Sequence, residues 1–290
     1  MKKRVVLTVL LSMCLLGGCK GKELTDYEKG MENLEKQNYK EALENFREAV
    51  SDGEDAAKAW RGIGISWSGQ GAFDKAEEAF LTALDFTEKS EKNLRTDLSL
   101  YLVDAQYHQK EYQACIKTCD EILDEKKEKN GYFLRGSAYL HLDEYKKAEK
   151  DFSKVISGSK EYEDYLDIYR IYQECDLNAD GAEYLELALE MKAKSPEDFY
   201  NRGRVYYYLS EFEKAEKELK TAWEKEYAPA AVYLGKVYVE ANEPEKAKDM
   251  YQKCLKQDEL KAEAYNGLAY CSMEQEDYEK ALEYIQKGLE

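Results

Sequence analysis

The chain has 290 residues, 43% of them hydrophobic and 36% charged, with a formal net charge of -17. That length holds a sizeable core, and only three prolines and 17 glycines leave little room for long irregular stretches. Ala, Leu, Glu and Lys outnumber Val and Ile, which favours helix over strand, and the acidic balance excludes nucleic acid as a partner.

The first segment reads as a signal rather than structure. Lys2, Lys3 and Arg4 form a basic start, and residues 5–16 are a mostly apolar run of 12, short of the ~20 residues a spanning helix needs. The run ends Leu16, Gly17, Gly18, Cys19. This resembles the lipobox of bacterial lipoproteins. The resemblance implies cleavage before Cys19, lipidation of that thiol and stable anchoring by more than one acyl chain. Residues 1–18 are then a cleaved signal, 19–23 a brief tether, and 24–290 the folded domain, in an extracytoplasmic, membrane-anchored location.

From residue 24 onward the chain repeats itself. One small or packing residue recurs as Gly30, Gly64, Val103, Gly136, Tyr169, Gly203, Gly235 and Ala269, at intervals of 34, 39, 33, 33, 34, 32 and 34. A second landmark follows each by 12: Ala42, Ala76, Cys115, Ala148, Gly181, Ala215, Ala247 and Ala281. Four residues later comes a larger group: Phe46, Phe80, Cys119, Phe152, Leu185, Leu219, Tyr251 and Ile285. Trp60, Ile63, Gly64 and Trp67 share one helical face, and Phe73, Ala76, Phe80 and Ala83 make the same stripe on a second helix. The turn between them is Gly69 to Ala72.

This grammar resembles the tetratricopeptide repeat (TPR) family. The resemblance implies an all-α, right-handed superhelical solenoid of about eight helical hairpins, each too small to bury its apolar faces alone. The third and fifth units depart most from the pattern. The 39-residue interval places extra residues near Thr87 to Lys92. TPR arrays usually end in a polar capping helix, and none follows the eighth unit here; its end is expected to be covered by a partner or to fray.

The remaining chemistry is sparse. Five cysteines remain beyond Cys14 and Cys19, an odd number without a disulfide framework. Cys115 and Cys119 occupy core positions. His108 and His141 fall late in adjacent A helices, near enough in the repeat to suggest a zinc site with those thiols, although exposed helix-end histidines are the commoner case. Asp176, Asn178, Asp180 and Gly181 resemble the start of an EF-hand calcium loop, but its twelfth position is Leu187 where a bidentate Glu is needed. A polar turn with Asn178 or Asp180 as helix cap is the alternative. No cofactor is implied, and no nucleophile–base motif points to an enzyme.

The family implies protein or peptide capture on the A-helix face, here as a scaffold or adaptor in the cell envelope. The alternative is a solute or peptide receptor, or an enzyme, built on the same frame. Arg170, Arg204 and Lys236 each follow a first landmark, and Tyr200, Arg204 and Tyr207 make a stripe bordered by Tyr208. Such a basic row with tyrosines suits an acidic peptide or a C-terminal carboxylate. The competing expectation is a solvated face, with Arg170–Glu174 and Lys236–Glu240 paired along their helices and Arg204 resting on Tyr200.

Overall fold

The computed structural model describes residues 23–289, so Cys19 and the signal lie outside the described residues. Among those residues there are sixteen α-helices, one 3-10 turn and no strand. In chain order they alternate as A and B helices of eight repeats: α1 (Asp26–Glu35) and α2 (Tyr39–Ser51), α3 (Ala56–Gly69) and α4 (Phe73–Asp85), α5 (Lys92–His108) and α6 (Tyr112–Glu125), and α7 (Lys129–His141) and α8 (Tyr145–Ile156). Then follow α9 (Tyr162–Glu174) with α10 (Asn178–Ala188), α11 (Pro196–Tyr208) with α12 (Phe212–Glu224), α13 (Ala230–Glu240) with α14 (Pro244–Cys254), and α15 (Lys261–Glu274) with α16 (Tyr278–Leu289). The repeat spacing therefore located the A and B helices of every repeat.

The described residues divide into two compact units, one up to residue 105 and one from residue 106, with the division inside α5. In the first, α1 packs on α2 and α3, α2 on α3, and α3 on α4. In the second, each A helix from α7 to α13 packs on its own B helix and on the next A helix, and the B helices α6, α8, α10, α12 and α14 each pack on the following A helix. The A helices α7, α9, α11, α13 and α15 thus form a row in which each touches the next.

The landmarks are contact points. Phe46 is fully buried in a slot left by two glycines: a Cβ on Gly30 would come within 2.7 Å of its ring, and one on Gly62 within 2.6 Å. Tyr251 fills the matching slot between Gly235 and Gly267, with corresponding approaches of 2.5 and 2.4 Å. The large residue of a B helix thus plugs both its own A helix and the next one, which couples hairpin to hairpin. In the fifth hairpin the sizes are exchanged. Gly181 on α10 receives Tyr169 and Tyr172 of α9, a Cβ there lying 2.6 Å from the Tyr172 Cβ. The deviant unit keeps its packing by moving the bulk to the other helix.

The A–B turns share one backbone solution. A residue with positive φ ends each A helix: Gln37, Gly71, Lys110, Asp143, Asp176, Ser210, Asn242 and Glu276. The amide after it reaches back to the helix, as Asn38 N to Asn33 O at 2.8 Å and Glu243 N to Tyr238 O at 2.8 Å. This satisfies a terminal carbonyl in the Schellman manner. Between α4 and α5 lie six residues, 86–91, where the 39-residue interval placed its extra length. Arg95 pins that link by donating to Leu84 O at 3.1 Å and Thr87 Oγ1 at 2.9 Å.

Charge is also used across hairpins. Arg135, just before a landmark, donates from Nε and Nη2 to both oxygens of the buried Asp151 at 2.7 and 2.8 Å, and from Nη1 to Asp120 at 2.6 Å. Arg202 repeats the position and reaches Glu218 at 3.4 Å. At the eighth hairpin Ile285, whose counterparts in the other seven are buried, is 40% exposed, and Tyr278, Leu282 and Leu289 lie bare with it.

Candidate functional site

Side-by-side packing of α9, α11 and α13 brings together the side chains that the sequence placed on the A-helix face. Arg204 is the centre. Its side chain is 12% exposed, and its guanidinium lies 5.3 Å from the Tyr200 ring centroid and 5.6 Å from that of Tyr233. Nη1 donates to Glu163 Oε2 at 2.7 Å and to Asn201 Oδ1 at 3.0 Å, and Nη2 to Glu163 Oε1 at 3.2 Å. Arg170 Nη2 reaches the same Glu163 Oε1 at 2.5 Å, and its Nη1 reaches Asp167 at 2.6 Å. Lys236 lies 4.3 Å from the Tyr233 centroid.

Tyrosines pave the space between. Tyr208 and Tyr233 share a hydroxyl contact of 3.1 Å, Tyr207 meets the Tyr233 ring edge-on at 5.7 Å, and Tyr200 does so at the same distance. Such edge contacts suit the aromatic quadrupole, and the cations on the ring faces add to it. Tyr207 also reaches Glu240 at 3.5 Å.

The electrostatics follow from this crowding. Burial alone would raise the Glu163 carboxyl, but the hydrogen bonds and charges of Arg204 and Arg170 outweigh it and hold the group below its ordinary value. Asp167 goes the other way. Burial, reinforced by Glu163 and opposed by Arg170, pushes it up to about 6. Burial would also raise the Tyr233 phenol, yet Arg204 and Lys236 bring it down. The two arginines of the basic row are therefore already matched by acids of the chain, while Lys236 rests over Tyr233. The Arg170 partners are Glu163 and Asp167, where the helix spacing had suggested Glu174, and Arg204 does rest on Tyr200 as that expectation had it.

The calcium-like spacing meets a different geometry. Asp176 is the positive-φ residue of an A–B turn like the other seven, and Asn178 already begins α10. Helix replaces the loop that would wrap a cation, and the three side chains are exposed. The capping alternative is also corrected: Leu177 holds the N-cap position, without a side-chain cap.

The histidine–cysteine expectation is corrected in its partner. His141 stacks on Tyr112 with centroids 4.5 Å apart, and its Nε2 lies 2.8 Å from the Tyr107 hydroxyl. Its Nδ1 meets Cys175 Sγ at 3.5 Å, so the thiol at hand is Cys175, from a repeat onward. Burial and the nearby Glu174 push that thiol up to about 11, and burial with Lys110 lowers His141. Both groups rest neutral at pH 7, which leaves the pair short of an activated nucleophile. Cys115 and Cys119 are fully buried; the hydrogen bond to Cys115, with burial, raises Cys119. No group of three or more metal-ligating residues occurs among the described residues.

Comparison with known proteins agrees with this geometry. Tetratricopeptide repeat family models match residues 27–92 and 234–290, and a further one matches 130–158, together just over half of the chain. The chain belongs to the tetratricopeptide repeat family. Among solved structures it is similar to yeast Tom70, at 17% identity with a TM-score of 0.62 over 94% of this chain; it spans 62% of the length of that protein. It is also similar to a tetratricopeptide repeat protein from Parabacteroides merdae, at 16% identity with a TM-score of 0.52, covering 80% of this chain and 92% of the other. These likenesses concern the fold. No curated protein matches the sequence.

Within this TPR frame, repeat reasoning reached Arg170, Tyr200, Arg204, Tyr207, Tyr208 and Lys236, but missed Glu163 and Tyr233. Glu163 lies seven residues before Arg170, two turns along one face of α9, and that spacing was a readable signal. Tyr233 was hidden because it sits two residues before a landmark, a position whose residue type changes from repeat to repeat, from Gly62 and Leu134 to Asp167 and Asn201.

Proposed function

We propose that this protein is a membrane-anchored, extracytoplasmic scaffold that captures a protein partner on the A-helix face of its second unit. TPR stacks present such faces to protein or peptide ligands, and what supports the finer reading here is the convergence of Tyr200, Tyr207, Arg170, Arg204 and Lys236 across three adjacent A helices. Rigid, partly exposed tyrosines beside arginine are the side chains that carry most binding energy at interfaces. The anchoring rests on the lipobox resemblance at Cys19, outside the described residues; no helix among those residues is long and apolar enough to cross a membrane.

Two experiments test this. Fatty-acid labelling of the protein in a bacterial host should be lost in Cys19→Ala, and a label that persists overturns the anchor. Crosslinking from native membranes, compared between wild type and the folded Arg170→Glu/Arg204→Glu variant, tests the face. A partner captured equally by both, with the same salt dependence, leaves the row a solvated surface. A receptor or enzyme built on the frame would respond to small molecules in thermal-shift screening, whereas a scaffold responds to its protein partner.

A further inference from the structure

The members of the Arg204 cluster differ in how firmly they are held. Arg204 is clamped between the rings of Tyr200 and Tyr233 and tied to Asn201. Arg170 is tied to Asp167 on its own helix. Glu163 is 49% exposed, stands in the first turn of α9, and its carboxylate accepts from these two guanidiniums. Of the three, the anion is the most exposed, at 49% against 26% for Arg170 and 12% for Arg204, and among the described residues it has no partner outside the pair of cations to hold it. Two guanidiniums converging on one carboxylate is the geometry of a carboxylate-binding site, with charge-assisted and partly bidentate bonds.

We infer that Glu163 is a built-in occupant of this site, and that a carboxylate of a peptide ligand takes its place on Arg170 and Arg204 while Glu163 swings into solvent. This rests on the A-helix face being the ligand face, and adds how that face is regulated. A tethered competitor has an effective concentration on the order of millimolar. The open site is then a minor population, and apparent affinity falls by that fraction. Because one ion pair replaces another, the exchange is close to neutral, and net affinity must come from the flanking Tyr200 and Tyr207 rings. Isolated anions are thereby rejected, and peptides that bring a carboxylate together with apolar or aromatic neighbours are accepted. The carboxylate can be a C-terminus or an acidic side chain, since both present the same two oxygens.

The test uses the full chain and a fluorescein-labelled peptide, Glu-Glu-Leu-Asp with a free C-terminus, read by polarisation. Glu163→Ala should bind about ten-fold more tightly than wild type, in line with release of a tethered competitor. Arg204→Gln should bind far more weakly than wild type. A C-terminally amidated peptide and one with Gln for both Glu residues identify which carboxylate is used. A second readout is independent of the peptide and covers weak folding of Glu163→Ala, with Glu163→Gln in parallel. Acetate should raise the melting temperature of either variant relative to chloride at equal ionic strength, and leave wild type unmoved. If the Glu163 variants bind no tighter and ignore acetate while Arg204→Gln still loses binding, Glu163 is a structural tie and the inference fails, with the ligand face intact. If Arg204→Gln binds as wild type does, the ligand-face reading fails with it.

Discussion

Gly64 offers a direct test of how the hairpins are held. A Cβ built there would lie 2.3 Å from Phe80 Cε1 and within 2.7 Å of two further ring atoms. Ordinary carbon contacts begin near 3.5 Å, so the ring must retreat by roughly 1 Å. It has nowhere to go: Phe80 is fully buried and stacks on Tyr101 at 5.4 Å. Overpacking of this kind costs about 1–3 kcal/mol, while exchanging Gly for Ala inside a helix returns about 1 kcal/mol. Because the ring is held in place, the upper part of that range, about 2–3 kcal/mol, applies; Gly64→Ala should therefore destabilise by about 1–2 kcal/mol net, and Phe80→Leu should relieve the clash. The pair should couple by at least about 1 kcal/mol in a double-mutant cycle. Urea unfolding followed by Trp60 and Trp67 fluorescence, in a Trp223→Phe background, reports on this hairpin specifically, which matters because repeat proteins need not unfold in one step. A Gly64→Ala protein as stable as its parent, or costs that add to within about 0.3 kcal/mol, would refute the slot-and-plug account.

Other tests address the turns, the charges and the thiols. Lys110 and Gln37 pay the left-handed backbone cost with a Cβ, so Lys110→Gly and Gln37→Gly should each raise stability by up to about 1 kcal/mol in urea titrations; a loss at both would contradict the turn assignment. Asp167 keeps its proton to about pH 6 when folded and loses it near 4 when unfolded, so the folded state holds the extra proton between those values. On this group alone, stability falls as pH rises from 4 to 6, by about 1 kcal/mol after allowing for a side chain 39% exposed. The wild-type minus Asp167→Asn difference in unfolding free energy should trace that fall, and a flat difference would refute it. Among the cysteines of the described residues, Cys175 is half-buried and the other four are buried, so iodoacetamide should label Cys175 first, in a rate still climbing at pH 9 as befits a thiol near 11. Mass spectrometry showing equal labelling of Cys254 would contradict the burial pattern.

How much of this was legible in advance depended on whether a feature belongs to the repeat. Gly30 and Phe46, or Gly235 and Tyr251, were found because the same contact recurs at a fixed interval and each hairpin must satisfy it. Even the fifth hairpin, where Tyr169 and Gly181 exchange bulk, could be placed by register alone. The calcium-like spacing at Asp176, already short of its twelfth-position Glu, counts oxygens along the chain, while the physical requirement there was a left-handed residue to end α9.

Contacts between hairpins were decided by the tertiary structure. Sequence periodicity specifies which face of a helix is apolar, since hydrophobic burial needs only a stripe of the right period. It therefore determined the hairpins, their core landmarks and the row on which Arg170, Arg204 and Lys236 lie. It does not specify which polar side chain on one helix meets which on the next, because that depends on helix offset and rotation at the scale of a hydrogen bond. Glu163 reaching across to Arg204, Tyr233 closing over its guanidinium, and Cys175 meeting His141 all arise from that offset, and so belong to the packed molecule alone.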